Sequence, residues 1–160
     1  MDVYDYAMQM EKDGESYYRS AALRVKDKGI RSILTMLADA EVAHYRVFTQ
    51  LKENENVLLK DPTILTDVKN VFQQMAESKD FSLLELSTID LYKTAQEIEQ
   101  KSIALYEGEA KKAEGQTRDT LLKVAEEEKK HYMILEKLID FVSQPDQWLE
   151  NPEWYHLEDY

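Results

Sequence analysis

Most of this chain repeats apolar residues every three to four positions, the period of a helix with one buried face. From Asp2 to about Lys26, the residues Val3, Ala7, Met10, Gly14, Tyr17, Tyr18, Ala21 and Ala22 share one side, and Asp2 stands where a helix N-cap is expected. Asp27-Lys28-Gly29 interrupts the pattern briefly, so the next helix should return antiparallel. That second helix, about Ile30 to Lys52, puts Ile33, Leu34, Leu37, Ala38 and Phe48 on a broad face together with Glu41, His44 and Tyr45. Polar atoms are thus embedded in an otherwise apolar stripe.

From Glu53 to Asp80 the period weakens. Asn54, Asn56 and Pro62 break it, and Thr66 to Ala76 reads as a short helix of its own. A connection this long suits a chain that must cross the length of a bundle before its third helix begins. Ser82-x-x-Glu85 and Ser87-x-x-Asp90 are successive start signals for that helix, with a break near Ser87, a run to about Ala113 and a stop at Gly115. The fourth helix runs from about Thr117 to Ser143, before Pro145. A tail follows with Trp148, Trp154, Tyr155, His156 and Tyr160. So aromatic a tail is expected to pack on the bundle or on a second subunit.

The expected fold is therefore all-α: a four-helix bundle with a long crossover between helices 2 and 3, one domain over residues 1–160 with the tail at 144–160. Four glycines and three prolines in 160 residues agree with long helices, and a 43% hydrophobic content supplies a core. The net charge of −12 excludes a nucleic-acid or anionic-membrane surface, since both need clustered Lys and Arg. With no cysteine, disulfides, thiolate catalysis and thiolate-ligated metals are excluded. The acidic start Met-Asp-Val-Tyr-Asp-Tyr has no signal-peptide character, and no apolar run approaches the roughly 18 residues of a membrane span, so a cytoplasmic protein is the expectation.

Candidate chemistry lies in two matching segments. Ala38-x2-Glu41-x2-His44-Tyr45 and Ala125-x2-Glu128-x2-His131-Tyr132 each place a carboxylate and an imidazole three residues apart, as neighbours on one helix face. They use two of the three histidines. The other two helices also match: Ala7-x3-Glu11 leads to Tyr18, and Ala95-x3-Glu99 leads to Tyr106. The glutamates are offset by 88 residues and the histidines by 87, so two similar hairpins are related by an approximate two-fold axis. Seven residues is roughly 10 Å of helix, which keeps each tyrosine on its glutamate's face. Gly14 and Ser102, one turn beyond Glu11 and Glu99, leave space beside a carboxylate; alternatively Gly14 is a tolerated helix glycine, costing about 1 kcal/mol against alanine.

Four acids on faces that otherwise look buried need compensation. An unpaired buried charge costs several kcal/mol, against roughly 5–15 kcal/mol for a whole domain. Lys12, Lys101, Lys129 and Lys130 fall on neighbouring, solvated angles. Two divalent cations would balance four carboxylates and two neutral imidazoles. Oxygen-rich sites with one imidazole each suit iron or manganese, and the combination is that of di-iron and di-manganese carboxylate bundles. The run Glu126-Glu127-Glu128 reads as a solvated face on which only Glu128 is in phase with His131. His156 reads as packed in the tail, and Met8, Met10, Met36, Met75 and Met133 as core filler.

Together these motifs resemble the ferritin-like domain of the rubrerythrin family, over roughly residues 2–142. The resemblance implies two iron ions, or manganese, held by Glu11, Glu41, His44, Glu99, Glu128 and His131. Glu41 and Glu128 would bridge, Glu11 and Glu99 would cap one metal each, and the histidines would supply one nitrogen each. Tyr18 and Tyr106 would be the catalytic tyrosines, each hydrogen-bonding a carboxylate. The implied activity is an oxidoreductase of the oxidative-stress type, a peroxidase or oxidase reducing hydrogen peroxide or dioxygen; a homodimer is expected. The alternative is an iron-binding or storage protein of ferritin-like type, and a bundle with degenerate sites used for protein contacts is the third reading. Two features depart from the family. Rubrerythrins proper carry a cysteine-bound rubredoxin iron, so here an external electron donor such as a rubredoxin-like protein is implied. Ser102 stands where an additional glutamate is usual, which leaves the metal shift of the family's redox cycle without that carboxylate.

Overall fold

A computed structural model describes residues 2–57, 59–150 and 153–159. Helices α1 (Val3–Arg24), α2 (Lys28–Lys52), α3 (Ile64–Ser78), α4 (Ile89–Ala110), α5 (Gly115–Ser143) and α6 (Pro145–Glu150) follow in order, with 3-10 turns at Leu86–Thr88 and Glu153–Asp159 and no strand among the described residues. The expected all-α, ferritin-like bundle with a long crossover is the architecture found.

Local chemistry sets several boundaries. Asp2 caps α1 by accepting from the Asp5 N–H at 2.8 Å, and Asp27 caps α2 by accepting from the Ile30 N–H at 3.0 Å. The connection between α1 and α2 is therefore Val25–Asp27, and Lys28 and Gly29 already belong to the helix. The crossover helix is slightly longer than expected, Ile64–Ser78 in place of 66–76. The largest correction concerns α4. It starts at Ile89, not near Ser82, because Ser82 turns its backbone N–H and its hydroxyl onto the Asp80 carboxylate, at 3.1 and 2.6 Å. This local turn competes with a helix start. The helix also ends early, at Ala110. Gly115 does not terminate it but opens α5, with φ +60°, a left-handed value that suits glycine.

The pairing of α1 with α2 and of α4 with α5 gives two hairpins. Tyr17 donates to the Leu91 carbonyl, Tyr18 to Glu99 and Tyr106 to Glu11, so α1 runs antiparallel to α4. His44 meets Glu128 and His131 meets Glu41, so α2 runs antiparallel to α5. Helices α2 and α4 are then parallel, which requires the crossover.

Two apolar clusters fill the bundle. One gathers Tyr18, Leu34, Leu37, Tyr92, Leu135 and Phe141 with side chains of α3 and the tail; the other gathers Ala7, Phe48, Leu51, Tyr106, Leu121 and Val124. Trp148 lies against Phe72 and Phe141, with ring centroids 4.8 and 4.9 Å apart, and Trp154 and Leu157 are buried beside it. His156 instead faces solvent, paired with Asp159 at 3.2 Å, contrary to the expectation that it packs. Tyr160 lies outside the described residues. Among the described residues, no helix is long and apolar enough to cross a membrane.

Candidate metal centre

Between the two apolar clusters lies a buried layer of acids and imidazoles. Glu11 comes from α1, Glu41 and His44 from α2, Glu99 from α4, and Glu128 and His131 from α5; each is at most 3% exposed. The spacing of the motifs accounts for this convergence. Residues three apart present carboxylate and imidazole from one helix, and antiparallel pairing of α2 with α5 brings each histidine beside the other motif's glutamate. His44 Nδ1 is 2.7 Å from Glu128 Oε1 and 3.6 Å from Glu11 Oε2. His131 Nδ1 is 3.5 Å from both Glu41 Oε1 and Glu99 Oε1. The imidazoles stack, with centroids 5.7 Å apart and planes 16° from parallel.

These side chains divide into two sets. Glu11, Glu41, His44 and Glu128 offer one ligand atom each within 4.8 Å of one another, and so do Glu41, Glu99, Glu128 and His131. Glu41 and Glu128 belong to both. The six candidate ligands of the sequence are thus brought together, with the pair expected to bridge lying between the two sets.

The polar atoms of the layer are poorly satisfied by protein alone. Glu11 Oε2, Glu41 Oε1, His44 Nδ1, Glu99 Oε2, Glu128 Oε1 and His131 Nδ1 are all buried without a hydrogen-bond partner. Among the described residues, no lysine or arginine pairs with these acids. Buried polar groups in native proteins are nearly always satisfied, and six orphans facing one another call for a shared partner. Two divalent cations fit: the donors are oxygen-rich with one nitrogen per set, and the charges balance.

The electrostatics show the strain of leaving the acids alone. Burial, reinforced by the charges of Glu11, Glu128 and Glu99, pushes the Glu41 carboxyl well above the ordinary range. Burial and the charges of Glu99 and Glu11 do the same to Glu128. Burial works against ionising Glu99 too, but hydrogen bonding with Glu128, the His131 charge and the Tyr18 hydroxyl outweigh it and hold Glu99 at about 2. Glu11 is lowered in the same manner, burial being outweighed by Glu41, His44 and Tyr106. For His44, burial favours the neutral ring, yet the charges of Glu11 and Glu128 raise its pKa well above the usual value.

Tyr18 and Tyr106 are fully buried and donate to Glu99 Oε1 at 2.5 Å and Glu11 Oε1 at 2.6 Å. Each tyrosine holds the lone glutamate of the opposite hairpin. Gly14 settles between its two readings. A Cβ there would stand 3.0 Å from Glu41 Oε2 and 3.2 Å from Glu41 Cδ, so the bare backbone makes room for that carboxylate. Ser102 is buried and turns its hydroxyl back to the Ile98 carbonyl at 3.2 Å.

One participant was misread from sequence. Glu127, assigned to a solvated face, is buried, and its Oε2 has no hydrogen-bond partner and lies 3.5 Å from His44 Nε2. The only sequence signal was its position beside Glu128 on a helix that buries a broad face. Glu127, His44 and His131 line a cleft of about 630 Å³ bounded on its other side by Leu59–Ile64 of the crossover.

The family model described as rubrerythrin matches residues 2–139, a span that contains all six of these side chains and both tyrosines. No curated protein and no solved structure matches the chain.

Proposed function

Because the chain belongs to the rubrerythrin family, whose members bind a di-iron centre, we propose that it is a non-haem di-iron oxidoreductase that reduces hydrogen peroxide or dioxygen. The observation that carries this reading is the division of six buried, unpartnered ligand atoms into two sets sharing Glu41 and Glu128. In this reading Glu41 and Glu128, common to both sets, would serve both ions, while Glu11 with His44 would complete one site and Glu99 with His131 the other. When bound, a pair of Fe(II) ions would supply two electrons, which with two protons reduce hydrogen peroxide to two waters or dioxygen to hydrogen peroxide.

The protein's own contribution is positional. Tyr106 and Tyr18 fix the orientation of Glu11 and Glu99 through their hydroxyls, directing the second carboxylate oxygen inward. Gly14 keeps the space in which Glu41 lies. The apolar clusters on both sides exclude bulk water, while the cleft at His44 and His131 is the route by which a small oxidant enters. The 160 residues hold no cysteine, so a cysteine-bound iron that returns electrons to the centre would lie outside them, a rubredoxin-like donor being the expected one.

The test is anaerobic loading with Fe(II), followed by one equivalent of hydrogen peroxide. A change in the near-ultraviolet absorption together with stoichiometric loss of peroxide is expected. Iron uptake without either would reject the oxidoreductase and leave a binding or storage protein.

A further inference from the structure

The two halves of the centre differ at one position. The repeat that superimposes His44 on His131 pairs Ala40 with Glu127, each immediately before the glutamate of its motif. Glu127 is buried, and among the described residues His44 is its only partner in ion-pair range: Glu127 Oε2 faces His44 Nε2 at 3.5 Å. His131 has nothing equivalent. Its ion-pair contacts among the described residues all run through Nδ1, to Glu41, Glu99 and Glu128, and the corresponding α2 position is the methyl group of Ala40, which lines the same cleft.

Both imidazoles turn Nδ1 toward the acids, so Nδ1 is the nitrogen a metal would take. The ring proton then sits on Nε2. For His44, a buried carboxylate oxygen without a hydrogen-bond partner, Glu127 Oε2, lies 3.5 Å from that nitrogen; for His131, no carboxylate among the described residues lies in ion-pair range of Nε2. A carboxylate behind a ligating histidine fixes its tautomer and its orientation and makes it a better donor, and removing such a partner typically weakens metal binding by roughly 10–100-fold. The present separation is a little beyond the usual N–H···O range of roughly 2.7–3.2 Å, a gap that the proposed hydrogen bond has to close.

We propose that Glu127 is a positioning residue for His44, and that it makes the two metal sites inequivalent, the Glu11–His44 site being the tighter one. A centre built on a repeated sequence is thereby loaded in a defined order, first beside His44 and then beside His131. This inference rests on the metal-binding reading above, and it also explains a buried, unpartnered acid that the six-ligand set does not use.

Anaerobic titration of the metal-free full chain with Co(II), read by visible absorption and calorimetry, tests it. The unmodified protein is expected to take up two equivalents in two steps, the first tighter by about tenfold or more. In H44A the tight step should vanish and the weak one persist; in H131A the reverse. Glu127→Ala should weaken the first step by roughly 10–100-fold and leave the second unchanged, whereas Glu127→Gln, whose amide oxygen still accepts from Nε2–H, should recover part of the loss. Far-ultraviolet dichroism of each metal-free variant verifies folding, and A40E, which supplies a carboxylate on the His131 side, gives a second route by strengthening the second step. Two Co(II) bound by Glu127→Ala with unaltered constants, or an equal weakening of both steps, overturns the proposal and leaves the metal reading standing. No Co(II) binding by the unmodified protein overturns both.

Discussion

The Tyr18 hydroxyl on α1 donates to Glu99 Oε1 on α4 at 2.5 Å, while Tyr106 on α4 returns the same bond to Glu11 on α1 at 2.6 Å. The hairpins are therefore cross-tied at the level of the candidate metal centre, and each tie fixes a carboxylate. Substituting Y18F removes a buried hydrogen bond to a charged group without changing the ring. The expected loss is about 1.5–3 kcal/mol of metal-free stability, measured by urea unfolding at neutral pH. Because the Tyr18 hydroxyl is one of the groups holding the Glu99 pKa down, the substitution should also move that pKa upward. Unchanged stability in Y18F would mean that the tie carries no weight.

The cross-tie also shows how far the sequence could be read. The repeated Glu-x-x-His, the lone glutamates and the tyrosines seven residues beyond them were visible because helical periodicity fixes which residues share a face. What periodicity does not fix is which partner a side chain meets across the bundle. That Tyr18 meets Glu99 rather than Glu11 depends on the antiparallel packing of α1 on α4. Glu127 escaped for a related reason: it neighbours Glu128 at about 100° around the helix, and only the approach of α2 decides whether that angle is solvent or core. The start of α4 was misplaced because Ser82 and Glu85 have the composition of a capping box, while the Asp80 carboxylate had already taken the Ser82 donors.

Gly14→Ala separates packing from chemistry. Alanine is favoured over glycine within a helix by about 1 kcal/mol, and the atoms it would approach belong to the movable end of Glu41. The metal-free variant should therefore be no less stable than the parent. Metal affinity should fall, because Glu41 is displaced by a few tenths of an ångström from the position it shares between the two sets. Thermal unfolding with chelator and competition titration with a metal indicator measure the two quantities. Lost stability with unchanged affinity would assign Gly14 to helix packing alone.

The pH dependence of the metal-free protein follows from the raised groups. Glu41 and Glu128 keep protons in the folded state that the unfolded chain has released above about pH 5. The native state then binds more protons, so unfolding free energy falls as pH rises, by about 1.4 kcal/mol per pH unit for each proton retained. His44, also raised, acts with the same sign: its contribution is complete below its ordinary value and is lost as pH rises through the folded one. Glu11 and Glu99 are lowered and act oppositely, their stabilisation being lost only as pH falls below about 4.5. The Tm of chelator-treated protein should accordingly be highest near pH 5 and decline toward pH 8. Bound divalent metal displaces those protons and should flatten or reverse the decline. Calorimetry across this range measures it, and a metal-free Tm that climbs from pH 5 to 8 would contradict the account.

Two neutral substitutions should have opposite effects on the metal-free protein although both replace a buried glutamate of the same layer. Burial and the neighbouring acids keep Glu128 protonated, so E128Q removes the cost of taking up that proton on folding at neutral pH and should raise metal-free stability, by an amount on the order of 1 kcal/mol. Around Glu99, hydrogen bonding with Glu128, His131 and the Tyr18 hydroxyl favour the charge, so E99Q removes a stabilised anion and should lower stability by a similar or larger amount. Adding Fe(II) or Co(II) should abolish the advantage of E128Q, since the parent then gains about 2.7 kcal/mol per site at a hundredfold excess over Kd while the variant, having lost a bridging oxygen, gains much less. Denaturation curves of the three proteins with chelator and with metal measure this crossing. If E128Q were less stable than the parent in both conditions, the Glu128 carboxylate would be held by the protein itself, and a metal would not be needed to explain its burial.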